Sequence, residues 1–198
     1  MNRPLALAVA VVALTAGCDG SDRVAEPPEQ DVGGQAGLSP LVLRAGEVPD
    51  GLEPAGQGPI ASIQGVLPPR ERLPNLPPLP EGIRGGFVGG YRRSFVGEEG
   101  TASSTVVRMV DGAAASDLVV YLRSLPVGGH AATPTEVPAT GLGEEGYGWH
   151  LLVPENESSG YAWRSGDLVA SVTLSGPVGR AGPETALPLA ERVDGRLT

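Results

Sequence analysis

Proline placement restricts this chain more than any other feature of its sequence. Pro68, Pro69, Pro74, Pro77, Pro78 and Pro80 crowd one short stretch. Each lacks a backbone N–H and holds φ near −65°, so none suits a helix interior or a central strand. Residues 66–86 therefore read as an extended, polyproline-like loop that covers rather than builds a core. Pro74-Asn75-Leu76-Pro77 has PxxP spacing within it and is read as part of that loop. Regular structure has to come mainly from Phe87 onward.

There the pattern sharpens. Residues 87–96 predict a strand with a glycine-marked irregularity at Gly89-Gly90. Gly97-Glu98-Glu99-Gly100 predicts a turn, and residues 101–110, rich in β-branched side chains, a second strand. Asp111 is placed to cap a helix over 113–125, with Ala114, Leu118, Tyr121, Leu122 and Leu125 on one face and Pro126 ending it. A Gly/Pro/Thr loop over 127–142 follows. Strands are then expected at 147–153, 161–164 and 168–174, with turns at 154–160 and 165–167. In the last strand Val169, Ser171 and Thr173 alternate with Ala170, Val172 and Leu174. A closing helix carries Leu189, Ala190, Val193 and Leu197, begun near Leu187 so that Pro188 falls in its first turn. The expected order is β-β-α-β-β-β-α, an α+β domain of two helices on a mostly antiparallel sheet, spanning 41–198. Leu41-Val42-Leu43 and Ile60-Ala61-Ser62-Ile63 are shorter strand candidates upstream. This element order, with Gly143-Glu144-Glu145-Gly146-Tyr147 and Arg164-Ser165-Gly166-Asp167-Leu168-Val169, is similar to the PsbP-like domains of actinobacterial lipoproteins. The resemblance covers about the last 110 residues and implies binding or scaffolding; no functional residue carries over from it.

The N-terminus has a different character. Asn2 and Arg3 precede an uncharged apolar run from Leu5 to Ala16, twelve residues against the roughly 20 that span a bilayer. A basic start, a short apolar stretch and small residues at its end describe a secretory signal. The run closes on Leu14-Thr15-Ala16-Gly17-Cys18, and Cys18 is the only cysteine in the sequence. That ending resembles the lipobox of bacterial lipoproteins, with Thr15 where the family prefers leucine. The resemblance implies removal of residues 1–17 and a diacylglycerol thioether on Cys18, which needs a thiol nucleophile. Two acyl chains give stable attachment where one is marginal. An ordinary secretory signal cut elsewhere is the alternative. Residues 18–40 are polar, acidic and rich in Gly and Pro, and read as a flexible tether with a reach of roughly 25 Å. Localisation is expected at a bacterial cell membrane, facing outside the cytoplasm.

The formal net charge is −9, and all 14 basic residues are arginine. An acidic balance argues against nucleic acid as a partner, since that affinity comes largely from cationic contacts to phosphate. The lone cysteine excludes an internal disulfide. His130 and His150 are the only histidines, too few ligands with no second thiol for a His/Cys zinc site, and no metal or cofactor is expected. No Gly-x-Ser-x-Gly elbow, Walker motif, dinucleotide fingerprint or calcium loop occurs. The tetrapeptide Gly-Glu-Glu-Gly recurs at 97–100 and 143–146 and reads as two turns. Arg92-Arg93 places one arginine on each face of its strand, so one of them is able to meet an anionic ligand. Tyr147, Trp149, Tyr161 and Trp163 crowd two adjacent strands, where across a hairpin they form either core or a groove for an apolar or sugar-like ligand. The expected function is a lipid-anchored, non-catalytic binding or interaction module whose partner is a protein or a small apolar ligand. A membrane-anchored enzyme or enzyme accessory and a structural envelope protein are the alternatives.

Overall fold

Strands whose polar and apolar residues alternate must pair so that one side is dry, and here the pairing makes one continuous sheet. The computed structural model describes residues 37–67, 77–125 and 133–198. The signal segment, Cys18, most of the tether, the middle of the proline-rich loop and His130 lie outside the described residues. The strands are β1 (Glu53–Ile60), β2 (Phe87–Gly97), β3 (Gly100–Met109), β4 (Thr135–Val137), β5 (Glu145–Val153), β6 (Asn156–Ser165) and β7 (Leu168–Pro177). They form a seven-stranded sheet in the order β1-β2-β3-β7-β6-β5-β4, antiparallel at every step. The helices are α1 (Glu81–Gly86), α2 (Gly112–Ser124) and α3 (Pro183–Asp194). The α+β class and the antiparallel sheet with helices packed on it match the expectation, but α1 lies within the expected 66–86 loop and β4 within the expected 127–142 loop, so the order from β2 is β-β-α-β-β-β-β-α.

Each face of the sheet is covered differently. On one, Leu189, Ala190 and Val193 of α3 pack with Tyr91, Phe95, Val106, Tyr161, Trp163, Ala170, Val172 and Leu174. On the other, Ala115, Leu118, Val119 and Tyr121 of α2 pack with Val107, Met109, Ala162 and Val169, joined by Ile83 of α1. Helix α2 starts as its sequence predicts: the Asp111 carboxylate accepts the Ala114 N–H at 2.8 Å, a cap that contributes about 1 kcal/mol. Helix α3 starts earlier than expected, with Pro183 at its first position and Pro188 inside it. Pro188 removes one ladder bond, at a cost of about 3 kcal/mol. Burial of Ala186, Leu189, Ala190 and Val193 along the apolar stripe offsets that loss.

Three other expectations are corrected. Residues 41–43 are not a strand. A 3-10 turn at Ser39–Leu41 leads into extended chain, and Leu38 before the turn and Val42 and Leu43 after it are all fully buried against the α3 face. Leu38 thus belongs to the core, not to the tether. Arginines hold this irregular segment down: Arg93 donates to the Leu43 carbonyl at 3.0 Å, Arg196 to that of Val42 at 2.8 Å, and Arg196 also pairs with Glu47. The second correction is β1, an edge strand where the sequence suggested only a short piece at 60–63. Pro54 and Pro59 are tolerated because an edge strand pairs on one side only. Third, 156–160 is strand rather than turn, and only Pro154 and Glu155 turn the chain.

That tight β5–β6 turn pairs glycine with aromatic residues. Gly148 lies opposite Tyr161, Trp149 opposite Gly160 and Gly146 opposite Trp163. A Cβ on Gly160 would come within 2.7 Å of the Trp149 indole, and one on Gly148 within 2.6 Å of the Tyr161 ring. Each aromatic ring therefore lies across a neighbouring glycine and occupies the space a side chain would take. Trp163 is fully buried with its Nε1 unpartnered. Removing a ring of 150–250 Å² from water contributes about 4–6 kcal/mol at 25 cal/mol per Å². An orphaned N–H costs about 1–3 kcal/mol, so the ring stays inside.

Gly148→Val tests this arrangement against simple strand propensity, which favours valine. Its Cβ would also stand 2.7 Å from Val137 Cγ2, and Tyr161 is buried with no room to yield. The substitution is expected to destabilise the fold by about 1–3 kcal/mol in urea denaturation. An unchanged or raised midpoint contradicts the packing described.

Candidate functional site

Covering by α2 and α1 stops partway across its face of the sheet, and what the strands present beyond it is polar. The register sets out rows of side chains. Arg92 lies beside Thr105 and Thr105 beside Ser171; the next row is Ser94, Ser103, Thr173, Gly160 and Trp149; the third is Val96, Thr101, Ser175 and Ser158. Within β2, β3, β7 and β6, these three rows carry eight hydroxyl side chains besides Val96, Ala162 and Gly160, and Arg92 is their one charged residue. Ser94, Ser103, Ser171, Thr173 and Trp149 are half-buried, and Thr101 and Val96 are exposed. Small hydroxyls at alternate positions suit a half-solvated strand face, because each satisfies itself with water or a neighbour. Ser158 does so by donating to the Leu174 carbonyl at 3.2 Å and by bonding Ser175.

At the β1 end of these rows the surface dips. A hollow of about 350 Å³ is lined by Arg92, Ser94, Ser62, Ile60 and the glycines Gly56, Gly58 and Gly65. Nε of Arg92 donates to Thr105 Oγ1 at 3.0 Å, and Nη2 to the Val66 carbonyl at 3.3 Å. Burial disfavours its charged form and pushes its pKa down. Arg93, next in sequence, points to the opposite face and reaches Gln57 and Leu43. The alternation that separates the two arginines is thus observed.

The four aromatic residues proposed from the sequence as one groove are not brought together. Tyr161 and Trp163 stand on the α3 face inside its core. Tyr147 and Trp149 stand on the α2 face, Tyr147 buried and Trp149 half-buried. The physical reason is register. A turn over 154–160 would set odd-numbered residues opposite odd ones, whereas the two-residue turn pairs Val153 with Asn156 and sets odd opposite even. Burial raises the pKa of both tyrosines. For Tyr147 a pull from Arg123 partly opposes that rise, and for Tyr161 the charges of Glu184 and Glu191 add to it.

His150, Glu157, Glu144, Glu145 and Glu99 are engaged in holding the fold. His150 Nε2 lies 2.9 Å from Glu157 Oε1. The other Glu157 oxygen accepts the Gly179 and Ala181 N–H groups at 2.8 and 3.2 Å. This carboxylate ties the loop before α3 to the start of β6. Burial pushes its pKa up, but the Gly179, His150 and Ala181 hydrogen bonds and the His150 charge outweigh that and leave it lowered. The two Gly-Glu-Glu-Gly turns do not meet a common cation. Glu144 pairs with Arg164 at 2.6 Å and accepts the Gly166 N–H. Glu145 accepts from Ser116 at 2.6 Å and from Arg164 at 3.3 Å. Glu99 faces Arg180 at the other turn. Among the described residues no group of three or more His, Cys, Asp or Glu is placed to hold a metal. No described helix is long and apolar enough to cross a membrane.

No protein-family model and no curated protein matches the chain. Among solved structures, it is similar to the extracellular domain of PknH from Mycobacterium tuberculosis, with a TM-score of 0.48 at 12% identity, covering 81% of this chain and 94% of that one. That likeness is one of outline, and no residue is carried over from it.

Hydroxyl rows, unlike catalytic motifs, leave little trace in a sequence. The alternation of Ser171 and Thr173 with apolar neighbours was the available signal; their alignment with Ser94 and Ser103 depends on strand order. For Glu157, the lowered folded-state pKa means its contribution is complete above the unfolded value of about 4.3 and is lost as pH falls through the folded value. Glu157→Gln is expected to lower the urea midpoint at pH 7, and the gap to wild type should shrink below about pH 4. A gap that is constant with pH contradicts the clamp.

Proposed function

We propose that this chain is a lipid-anchored, extracytoplasmic binding module without chemistry of its own. The observation that carries the reading is the sole cysteine, Cys18, at the end of a twelve-residue apolar run with small residues before it. Cleavage before Cys18 and a diacylglyceryl thioether on it would leave the acyl chains as the membrane attachment, since a chain of net charge −9 offers no polybasic patch. Tethered in this way, the folded domain works at a distance from the surface. Chain enters that domain at Leu38 on the α3 face. The hydroxyl rows and the Arg92 hollow lie on the opposite face, which supports that face as the one offered to a partner. A module that binds needs polar groups left unspent. Ser94, Ser103 and Thr173 provide them, whereas His150, Glu157, Glu144 and Glu145 are committed to internal bonds. The strand and helix order from β2 onward, which differs from the expected one by the added short β4, also supports reading the domain as PsbP-like.

Replacement of Cys18 by Ala tests the anchor. The wild-type chain is expected in the membrane fraction and to incorporate labelled fatty acid. Cys18→Ala is expected to lose both while the domain stays folded by circular dichroism. A variant that still fractionates with the membrane and still takes label overturns the reading.

A further inference from the structure

Arg92 is a half-buried cation for which the described residues supply only neutral acceptors. Its guanidinium has five N–H donors, and Thr105 Oγ1 and the Val66 carbonyl account for two of them. Arg108, Arg123, Arg164, Arg180 and Arg196 each lie within 4.0 Å of a carboxylate. Arg92 has no such partner among the described residues, in a sequence with 23 acidic side chains. A charge drawn partly out of water without a counter-charge is unfavourable. An arrangement of this kind becomes favourable once an anion arrives.

The surroundings match that chemistry. Arg92 faces the hollow of about 350 Å³ at the sheet edge, a volume within the range of small-molecule sites. Its lining adds the hydroxyls of Ser62 and Ser94 and no carboxylate. The glycines of β1 keep it open: a Cβ built on Gly56 or Gly58 would meet nothing within 4 Å, so the missing side chains answer to no packing demand inside the fold. They leave the backbone of β1 accessible to a molecule lying against it. Irregular pairing between Pro54 and Gly56 bends the strand at the same place.

We propose that the Arg92 hollow is an anion-binding site that receives a carboxylate or phosphate group of the domain's ligand, with Ser94 and Ser62 as neighbouring donors. The planar fork of a guanidinium accepts either group through paired hydrogen bonds. The inference rests on reading the domain as a binding module, and it gives that module a ligand chemistry: a small polar anion, not the apolar ligand that the aromatic residues suggested from sequence. The hydroxyl rows running from Ser94 and Ser103 to Thr173 continue the site with donors and acceptors for the polar remainder of such a ligand.

The test is a heteronuclear NMR titration of the full-length chain with inorganic phosphate and, separately, with acetate, at constant ionic strength maintained with chloride. Saturable shifts are expected at the amides of Gly56, Gly58, Arg92 and Ser94 and at the Arg92 side-chain Nε. Arg92→Gln should weaken binding at least tenfold. Arg180→Gln, the same charge change at an exposed arginine, should leave it unaltered. If Arg92→Gln does not fold, Arg92→Lys makes the comparison: a point charge without the fork should bind several-fold more weakly, and wild-type affinity there overturns the proposal. A response to phosphate alone, to acetate alone or to both supports the site and identifies its anion. No saturable response to either, or equal affinity in Arg92→Gln, overturns it. Lipid attachment at Cys18 plays no part in this titration, so its failure leaves the fractionation result standing, and the reverse holds too.

Discussion

The ladder between β3 and β7 is the interaction on which the rest of the structure depends. Its eight pairs, Thr101 with Ser175 through Arg108 with Leu168, join the β1-β2-β3 meander to the β4–β7 half of the sheet. Between them the chain makes the excursion through α2, β4, β5 and β6. Register in this ladder decides what faces where. A slip of one residue would turn one strand over; for β7 it would carry Ser171 and Thr173 into the α3 core and move Ala170 and Val172 to the opposite face. Val106, Val107, Val169 and Val172 oppose such a slip, because all four are buried, two on each face.

Much of this was legible residue by residue. Alternation in β7 and the β-branched run of β3 marked those strands, and Asp111 marked the start of α2. What escaped is explained by context. Edge strand β1 is spelled Glu-Pro-Ala-Gly-Gln-Gly-Pro-Ile, which reads as loop until one knows that it pairs on one side only. Asn156 to Gly160 looked like turn because Gly160 has no side chain of its own to pack, and the Trp149 ring fills that place. Leu38 looked like tether because its neighbours are polar, yet it is fully buried. The aromatic residues were located on the right strands and assigned to one cluster, and the two-residue turn at Pro154-Glu155 separates them. In each case the missing information was tertiary: which strand lies beside which, and in what register.

Functionally, the account combines two parts of the chain that obey different physics. Residues 1–36 lie outside the described residues and are read through sequence chemistry: a thiol, small neighbours and an acidic stretch. Among the described residues from Leu38 onward, internal bonds engage many of the charged groups. Glu157 anchors a loop, Arg164 gathers Glu144 and Glu145, and Arg93 and Arg196 pin the entering chain. Arg92, without a carboxylate partner among the described residues, and Ser94, Ser103 and Thr173 stand apart from this internal use. A domain built in this way has donors to offer on one face and its point of entry on the other.

The central claim is that a lipid on Cys18 holds this domain at a membrane, and intact mass spectrometry of the chain extracted from membranes tests it most directly. The account predicts a polypeptide that begins at Cys18 and is heavier than its sequence by a diacylglyceryl group on that residue. A chain beginning elsewhere, or an unmodified Cys18, would contradict it.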